Sequence, residues 1–464
     1  MTNRDVRHLE NIDDLRDRLQ GEVLGPENEG YDQARSVWNG LIDKYPAAVA
    51  QCSGVADVIA SVNFARENDL LLAIKSGGHD YAGNSVCDDG LVIDLSQMKG
   101  IRVDPRTNTA RAEPGVTWRE FYRETQPFGL ATPGGLNGVG IAGFTLGGGI
   151  GYLSRKYGFT VDNLRSADVV TADGELVYTD ENHHPDLFWA LRGGGGNFGV
   201  VTSFEYDLHK TGTEVLVSNS IFPHEQLTHV LKSFREFVPE APDDFMCYAS
   251  ISQLPEQEPF PPELQGKPAL SITAVYADPG DEGQELLTEI RDFGDPIYVN
   301  TDRQTLTELA DVSDSAIFNA DRFYSKSQYL SRLPNEAIKT IEANTSPLPG
   351  EATMVALGTL GGAMNRIDTS DTAFPHRDTR FEFSIWPAWS DPLQDDELLG
   401  WAQAFHEEMT QYAMDGVYVN LLSHDEQDRI EEAYLDNIDR LRTVKSEWDP
   451  ANLFRMNQNI NPEG

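Results

Sequence analysis

The residues of this chain best able to do chemistry stand among glycines. His79 lies in the run Ile74-Lys75-Ser76-Gly77-Gly78-His79-Asp80-Tyr81-Ala82-Gly83, a second glycine-dense stretch (PGGLNGVGIAGFTLGGGIGYLSRKYGFTVDNL) spans 133–164, and a third cluster runs from Gly193 to Gly199. Glycine frees the backbone for positive φ and close approach, so consecutive N–H groups can converge on phosphate oxygens as an anion nest. Three such clusters point to a large polyanionic ligand touched at several places, a description that suits a dinucleotide cofactor. Tight turns in a β-rich fold are the competing explanation, and a turn is the ordinary role of a histidine after two glycines. Gly138 to Gly143 and Gly194 to Gly199 both spell G-x-G-x-x-G. A Rossmann fingerprint needs a strand before it and a helix after it. The second match has helix-like LFWALR before it and strand-like VVTSFEYDL after it, the reverse order, so a Rossmann site is not expected.

Short strands and helices must bring these clusters together. AAVAQC and LLLAIKS read as strands, ADVIASVNFAREND as an amphipathic helix, and IRVDPRTNTARAEPG as a hairpin about Pro105 and Asn108. Leu9, Ile12, Leu15 and Leu19 share a helical face, which predicts an N-terminal helix within residues 1–34. Beyond about residue 212, Pro-rich acidic connections separate apolar strands (ALSITAVYA) from amphipathic helices (EGQELLTEIRDF), the mark of a second domain. The last helix should end near Asp449-Pro450, before an extended tail.

The 464 residues carry 36 Lys plus Arg against 75 Asp plus Glu, a formal charge of −39, with arginine outnumbering lysine. Such a surface disfavours nucleic acid and anionic membranes as partners. Dispersed carboxylates suggest a halophilic protein, because at 1 M salt their repulsion is screened within about 3 Å. Cys52, Cys87 and Cys247 are odd in number and show no CxxC spacing, so neither a disulfide framework nor a metal site is expected. A polar N-terminus and the lack of a long apolar run predict a soluble cytoplasmic protein.

In combination, the Ser76-Gly77-Gly78-His79-Asp80 stretch resembles the pyrophosphate loop of FAD-linked oxidases of the vanillyl-alcohol-oxidase superfamily, in the berberine-bridge-enzyme-like branch. GVGIAGFTLGGGIGYLSRKYGFTVDNL is similar to that family's second flavin segment, LFWALRGGGGNFGVVTSFEY to its third, and AFPHR and WDPANLFRMNQNINP to its C-terminal motifs. The resemblance implies an α+β, two-domain PCMH-type FAD-binding fold, with a separate substrate domain built on an antiparallel sheet covered by helices. It divides the chain into an N-terminal helix (1–34), the FAD-binding domain (35–212), the substrate domain (213–415) and a C-terminal segment returning to the FAD domain (416–464). It makes His79 the covalent 8α ligand of FAD and sets Ser76, Gly77, Gly78, Asp80 and Ser85 around the pyrophosphate. Gly138, Gly143, Gly147, Gly148 and Tyr152 would border the isoalloxazine and ribityl chain, Val201 the adenine side, and Asn457 and Asn459 the pyrimidine edge.

The chain departs from the family pattern twice. Many members carry a second, cysteinyl tether; the corresponding residue is Leu136, so a single bond through His79 is expected. Many also use the last tyrosine of Tyr-x-Asn-Tyr as base, where this chain reads Tyr418-Val419-Asn420-Leu421. Flavin chemistry moves a substrate hydride, and an alcohol must also lose its proton to a group within hydrogen-bond reach. The candidates for that role are Tyr152, Tyr324 and Tyr329 with Lys326, and His376, whose neighbour Arg377 shares the alternative reading of a structural turn, while Asn420 is expected as a polar orienter. The expected activity is oxidation of a small alcohol, sugar or amine, with O2 or another acceptor taking the electrons. A flavin-binding carrier with little turnover is the alternative, on the strength of the missing tyrosine.

Overall fold

The computed structural model describes residues 9–463 except 10, 279, 318, 319 and 351. Its first sheet orders Glu22–Leu24, Ala48–Gln51, Leu91–Asp94 and Leu72–Lys75, the last three parallel and the first antiparallel. The helix Val55–Glu67 makes the crossover between Ala48–Gln51 and Leu72–Lys75, and buries Val58, Val62 and Phe64 against the sheet. A second, antiparallel sheet orders Ile101–Asp104, Thr109–Ala112, Val200–Asp207, Leu164–Val170 and Leu176–Thr179. Its first two strands form the hairpin expected about Pro105 and Asn108, where Asn108 takes a positive φ of 53°.

The third sheet has seven antiparallel strands in the order Tyr298–Gln304, Val215–Pro223, Pro268–Tyr276, Phe245–Gln253, Met354–Thr359, Phe381–Trp386 and Lys326–Leu330. Strand side chains alternate between faces. Leu270, Ile272, Ala274 and Tyr276 therefore join the helix-covered core, where Leu231 and Phe234 of Leu227–Phe237, Ile338 of Asn335–Asn344 and Phe405 of Asp395–Thr410 also lie. Ser271 and Thr273, between them in sequence, face the other way and line a cavity. The molecule is thus a two-domain α+β fold whose third sheet is apolar toward its helices and of mixed polar and apolar character toward the rest of the chain.

The N-terminus differs from the expected single helix. The structure has a helix at Ile12–Arg18, a strand at Glu22–Leu24 and a helix at Tyr31–Arg35, while residues 1–8 and 10 lie outside the described residues. Gly21, Gly25-Pro26 and Gly30 interrupt the helical pattern, and Val23 and Leu24 pair with Ala50 and Val49 at the edge of the first sheet.

The final helix, Ile438–Trp448, packs Leu441 and Val444 into the core containing Leu187, Phe188 and Leu191 of Pro185–Leu191, and stops before Asp449-Pro450. Lys445, fully buried on this helix, donates to Asp449 at 2.7 Å, to the Asn197 carbonyl at 2.7 Å and to the Phe454 carbonyl at 3.0 Å. Asp449 in turn accepts from the backbone of Leu453 and Phe454. This knot binds the tail to the third glycine cluster. Cys52, Cys87 and Cys247 are buried and unbridged. Among the described residues there is no metal-ligand cluster, and no helix is long and apolar enough to cross a membrane.

Candidate active site

A cavity of about 940 Å3 runs from the glycine clusters to the face of the seven-stranded sheet that its helices leave uncovered. One wall begins where the strand Leu72–Lys75 ends. Gly77 packs against Gly140 so closely that a Cβ would come within 2.7 Å of the Gly140 nitrogen, so the first two glycine clusters meet back to back. Gly78 turns with φ +67°, a conformation that side chains resist. Asp80 accepts from the backbone of Asn84 and from the Gln458 side chain, and so ties the loop to the tail. The His79 ring stacks on Trp38 with centroids 5.1 Å apart and planes at 17°. Burial pulls the imidazole down to about 4, against the opposing effect of a hydrogen bond with the Gly138 backbone, so the ring is neutral at neutral pH.

The helix Ile141–Leu146 and the glycines after it form the next wall. A Cβ at Gly143 would meet nothing within 4 Å and would project into open space. Gly147 and Gly148 do not line the cavity: they make room for Asn420 and Phe374, whose side chains would lie 2.0 and 2.7 Å from added Cβ atoms. Tyr418 accepts from the Gly149 nitrogen and from the Asn420 amide, each at 3.0 Å, while Asn420 also donates to the Phe144 carbonyl. Gly195, Gly196, Phe454 and Asn457 close the end tied by the Lys445 knot.

These walls fit a flavin dinucleotide. Asn84 Nδ2, Ser85 Oγ and Asn457 Oδ1 are buried at the cavity without a hydrogen-bond partner and are available to a polar ligand. No lysine or arginine occurs among the described lining residues, so phosphate charge would be met by backbone N–H groups of the glycine loops.

The opposite wall is the sheet. In Phe381–Trp386, Phe381, Phe383 and Ile385 enter the helix-covered core, which turns Glu382, Ser384 and Trp386 the other way. Glu382 lines the cavity and is 7 % exposed. Desolvation pushes its carboxyl up to about 7, opposed by a hydrogen bond from Ser384; no basic side chain among the described residues acts on it. Tyr418, Trp386, Tyr248 and Tyr152 line the same region, with Tyr152 edge-on to Tyr248 at 5.5 Å. Farther along the sheet the lining is uncharged, with the hydrogen-bonding side chains Asn219, Ser250, Ser252, Ser271, Thr273 and Asn300 set among apolar ones such as Val217, Ile221 and Leu254. Ser271 donates to Asn219 at 2.6 Å.

Of the residues singled out in the sequence, Ser76, Gly77, Gly78, His79, Asp80, Ser85, Gly143, Tyr152, Val201, Asn420 and Asn457 line this one cavity. Gly138 stands behind His79, and Asn459 lies outside the lining with its Oδ1 buried and unpartnered. Other residues expected to act on substrate lie outside it as well. Tyr329 is fully buried and packs on His376 at 4.6 Å, and His376 donates to the Ala433 carbonyl at 2.9 Å. Tyr324 and Lys326 are spent on Asp425, and Arg377 grips Asp162 through two bonds of 2.7 Å. Glu382 was missed, although a glutamate alternating with Phe381, Phe383 and Ile385 is the signal that marks it.

The profile of a family described as FAD binding domain matches residues 46–180, and one described as Berberine and berberine like matches residues 417–461. The FAD-linked oxidoreductase YgaK of Bacillus subtilis is 30% identical over 453 residues, covering 96% of this chain and 98% of its own. The (R)-6-hydroxynicotine oxidase of Paenarthrobacter nicotinovorans is 29% identical over 472 residues, with 96% and 98% covered. The crystal structure of 6-hydroxy-D-nicotine oxidase from Arthrobacter nicotinovorans superposes with a TM-score of 0.86 at 26% identity, over 96% of this chain and 98% of that one. Chitooligosaccharide oxidase shares the fold at a TM-score of 0.86 and 23% identity, over 98% of this chain and 100% of that one.

Proposed function

This chain belongs to the berberine-bridge-like FAD-linked oxidoreductases, and from that premise we propose that it oxidises a hydroxyl-bearing carbon of a small molecule, with Glu382 as the base. The observation that carries the reading is a buried carboxyl raised to about 7 in the cavity that also holds the His79 loop. FAD, when bound, supplies the acceptor for the substrate hydride. Glu382 takes the hydroxyl proton, which suits a group poised near neutrality. Tyr418, fixed by Gly149 and Asn420, and Trp386 orient the reacting end. The ladder of Asn219, Ser271, Thr273 and Asn300 hydrogen-bonds the remainder of an uncharged, hydroxyl-rich substrate. Asn420 keeps the orienting role expected of it, while Tyr152 yields the role of base to Glu382 and lines the same cavity.

On the cofactor side, residues 35–212 with 416–464 seat the flavin and residues 213–415 present the substrate. His79 would carry the flavin through one covalent bond, Leu136 leaving no second tether; Ser76 to Asp80 and Ser85 would hold the pyrophosphate, Val201 the adenine side and Asn457 the pyrimidine edge. O2 receives the electrons, and the charge of −39 adapts the surface to high salt. An amine substrate is the second reading, favoured by an acid among Tyr152, Tyr248, Tyr418 and Trp386, since aromatic faces and a carboxylate both attract an ammonium.

Anaerobic mixing of the holoenzyme with sugars, secondary alcohols and cyclic amines tests the proposal. Bleaching of the flavin band by hydroxyl compounds, with recovery in air, is expected. Bleaching by amines alone selects the second reading, and no bleaching by any member returns the case to a carrier.

A further inference from the structure

Three aromatic rings link the seven-stranded sheet's domain to the cofactor loop. Phe323, in the short strand Arg322–Phe323 paired with Ala388-Trp389, stacks on Trp38 with centroids 4.2 Å apart and planes at 26°. Trp38 stacks in turn on His79 and meets Tyr81 edge-on at 5.2 Å. The backbone is pinned at the same places. Asn39, 1 % exposed, donates to the Phe323 carbonyl at 2.8 Å and accepts from the Phe323 nitrogen at 3.0 Å. The Trp38 nitrogen donates to the Gly78 carbonyl at 3.2 Å, and Val37 packs against Gly78. Residues 37–39 thus join the loop that carries His79 to a strand nearly 250 residues away along the chain.

A histidine side chain on a glycine loop has little of its own to fix the plane of its ring. Here one face is set by Trp38, and a ring atom is held by the Gly138 backbone. We infer that Trp38 is a positioning residue for His79: braced by Phe323 and Asn39, it holds the imidazole at the cavity wall in the orientation from which a ring nitrogen bonds to the flavin 8α carbon. The inference rests on the single-tether reading given above. In that reaction one imidazole N–H and one 8-methyl C–H bond break and a C–N bond forms. The two electrons and two protons released leave with dioxygen as hydrogen peroxide. The low proton affinity of buried His79 keeps on the ring the lone pair that the new bond needs. Misplacing reacting groups by about 1 Å costs about a hundredfold in rate, so a ring freed from its stack should be slow to join.

The test follows pellet-bound flavin after acid precipitation as flavin-depleted full-length protein is incubated with FAD in air. Total bound FAD and thermal midpoint are measured on the same samples. Wild type should become covalently yellow and His79→Ala should not. Trp38→Leu should bind FAD yet incorporate it at least about tenfold more slowly, and Trp38→Phe, which can still stack, should stay within about threefold of wild type. A merely structural role would lower FAD binding and midpoint without this separation. If Trp38→Leu does not fold, Phe323→Leu, which removes the brace and keeps an apolar side chain, carries the test with the same expected slowing. Wild-type rates in the folded leucine variant overturn the inference and leave the tether standing. Acid-released flavin from the wild type overturns the tether, and the inference with it.

Discussion

Replacing Lys445 by methionine removes the cation at the centre of the knot that ties the tail to the third glycine cluster. Lys445 and Asp449 have no exposed side-chain surface, and the ammonium makes three bonds of 2.7, 2.7 and 3.0 Å. Methionine fills much of the same volume but leaves the Asp449 carboxylate buried without its counter-charge. Breaking a buried pair from one side costs about 3–5 kcal/mol. The upper part of that range is expected, because the Asn197 and Phe454 carbonyls lose the same donor. Both segments reach the cavity through Gly195, Gly196 and Asn457, so looser FAD binding should accompany the loss. Urea unfolding with excess FAD, followed by fluorescence, measures the first quantity, and titration of FAD into the Lys445→Met variant in a His79→Ala background, where no tether can form, the second. Adding Asp449→Asn removes the stranded charge, so the double variant should be more stable than the sum of the single effects by about 1 kcal/mol or more. A Lys445→Met variant that loses less than about 1 kcal/mol, or strict additivity, would refute the argument.

Four further outcomes follow from the same structure. Glu382 has a folded-state pKa raised from 4.5 to about 7, so the folded chain binds the proton more tightly and its stability falls as pH rises from 4.5 to 7, then levels. Glu382→Gln should therefore be more stable than wild type at pH 8 by about 3 kcal/mol and lose that pH dependence, as thermal melts across pH would record. Gly143→Val should leave the melting of the flavin-free chain nearly unchanged while lowering FAD content, since its side chain enters the cavity; unchanged FAD binding would remove Gly143 from the cofactor wall. Asn219→Ala and Asn300→Ala should raise KM for a hydroxyl-rich substrate and spare kcat, and equal effects on both parameters would argue against a binding ladder. Unfolding midpoints should rise as KCl increases to about 2 M if the acidic surface is adapted to salt, and a flat or falling profile would contradict that reading.

Much of the fold can be read from the sequence where periodicity is strong. The alternation in ALSITAVYA gives the strand Pro268–Tyr276, and the helix pattern of ADVIASVNFAREND gives Val55–Glu67. Glycine clusters announced the cofactor wall because backbone approach leaves its mark in residue type. Three residues at Glu22–Leu24 could not announce a strand, since their partner supplies the reason to be extended. Tyr329 pairs with Glu382 across neighbouring strands, yet it packs among Phe159, Phe374 and Tyr418 and against His376, and that covering layer, invisible in the sequence, keeps both out of the cavity. Gly147 and Gly148 serve a layer deeper, as room for Asn420 and Phe374. Alternation with Phe381, Phe383 and Ile385 sets Glu382 on the opposite face of its strand, but what that face meets depends on residues distant in the chain.

Stopped-flow reduction of the holoenzyme flavin, without oxygen and with the best substrate of the panel, tests the role of Glu382 most directly when wild type and Glu382→Gln are compared from pH 5 to 9. The wild-type rate should rise through an apparent pKa near 7. The Glu382→Gln rate should be about 10²- to 10⁴-fold lower and lack that rise. Equal rates with the same pH profile in both proteins would show that the substrate proton goes elsewhere.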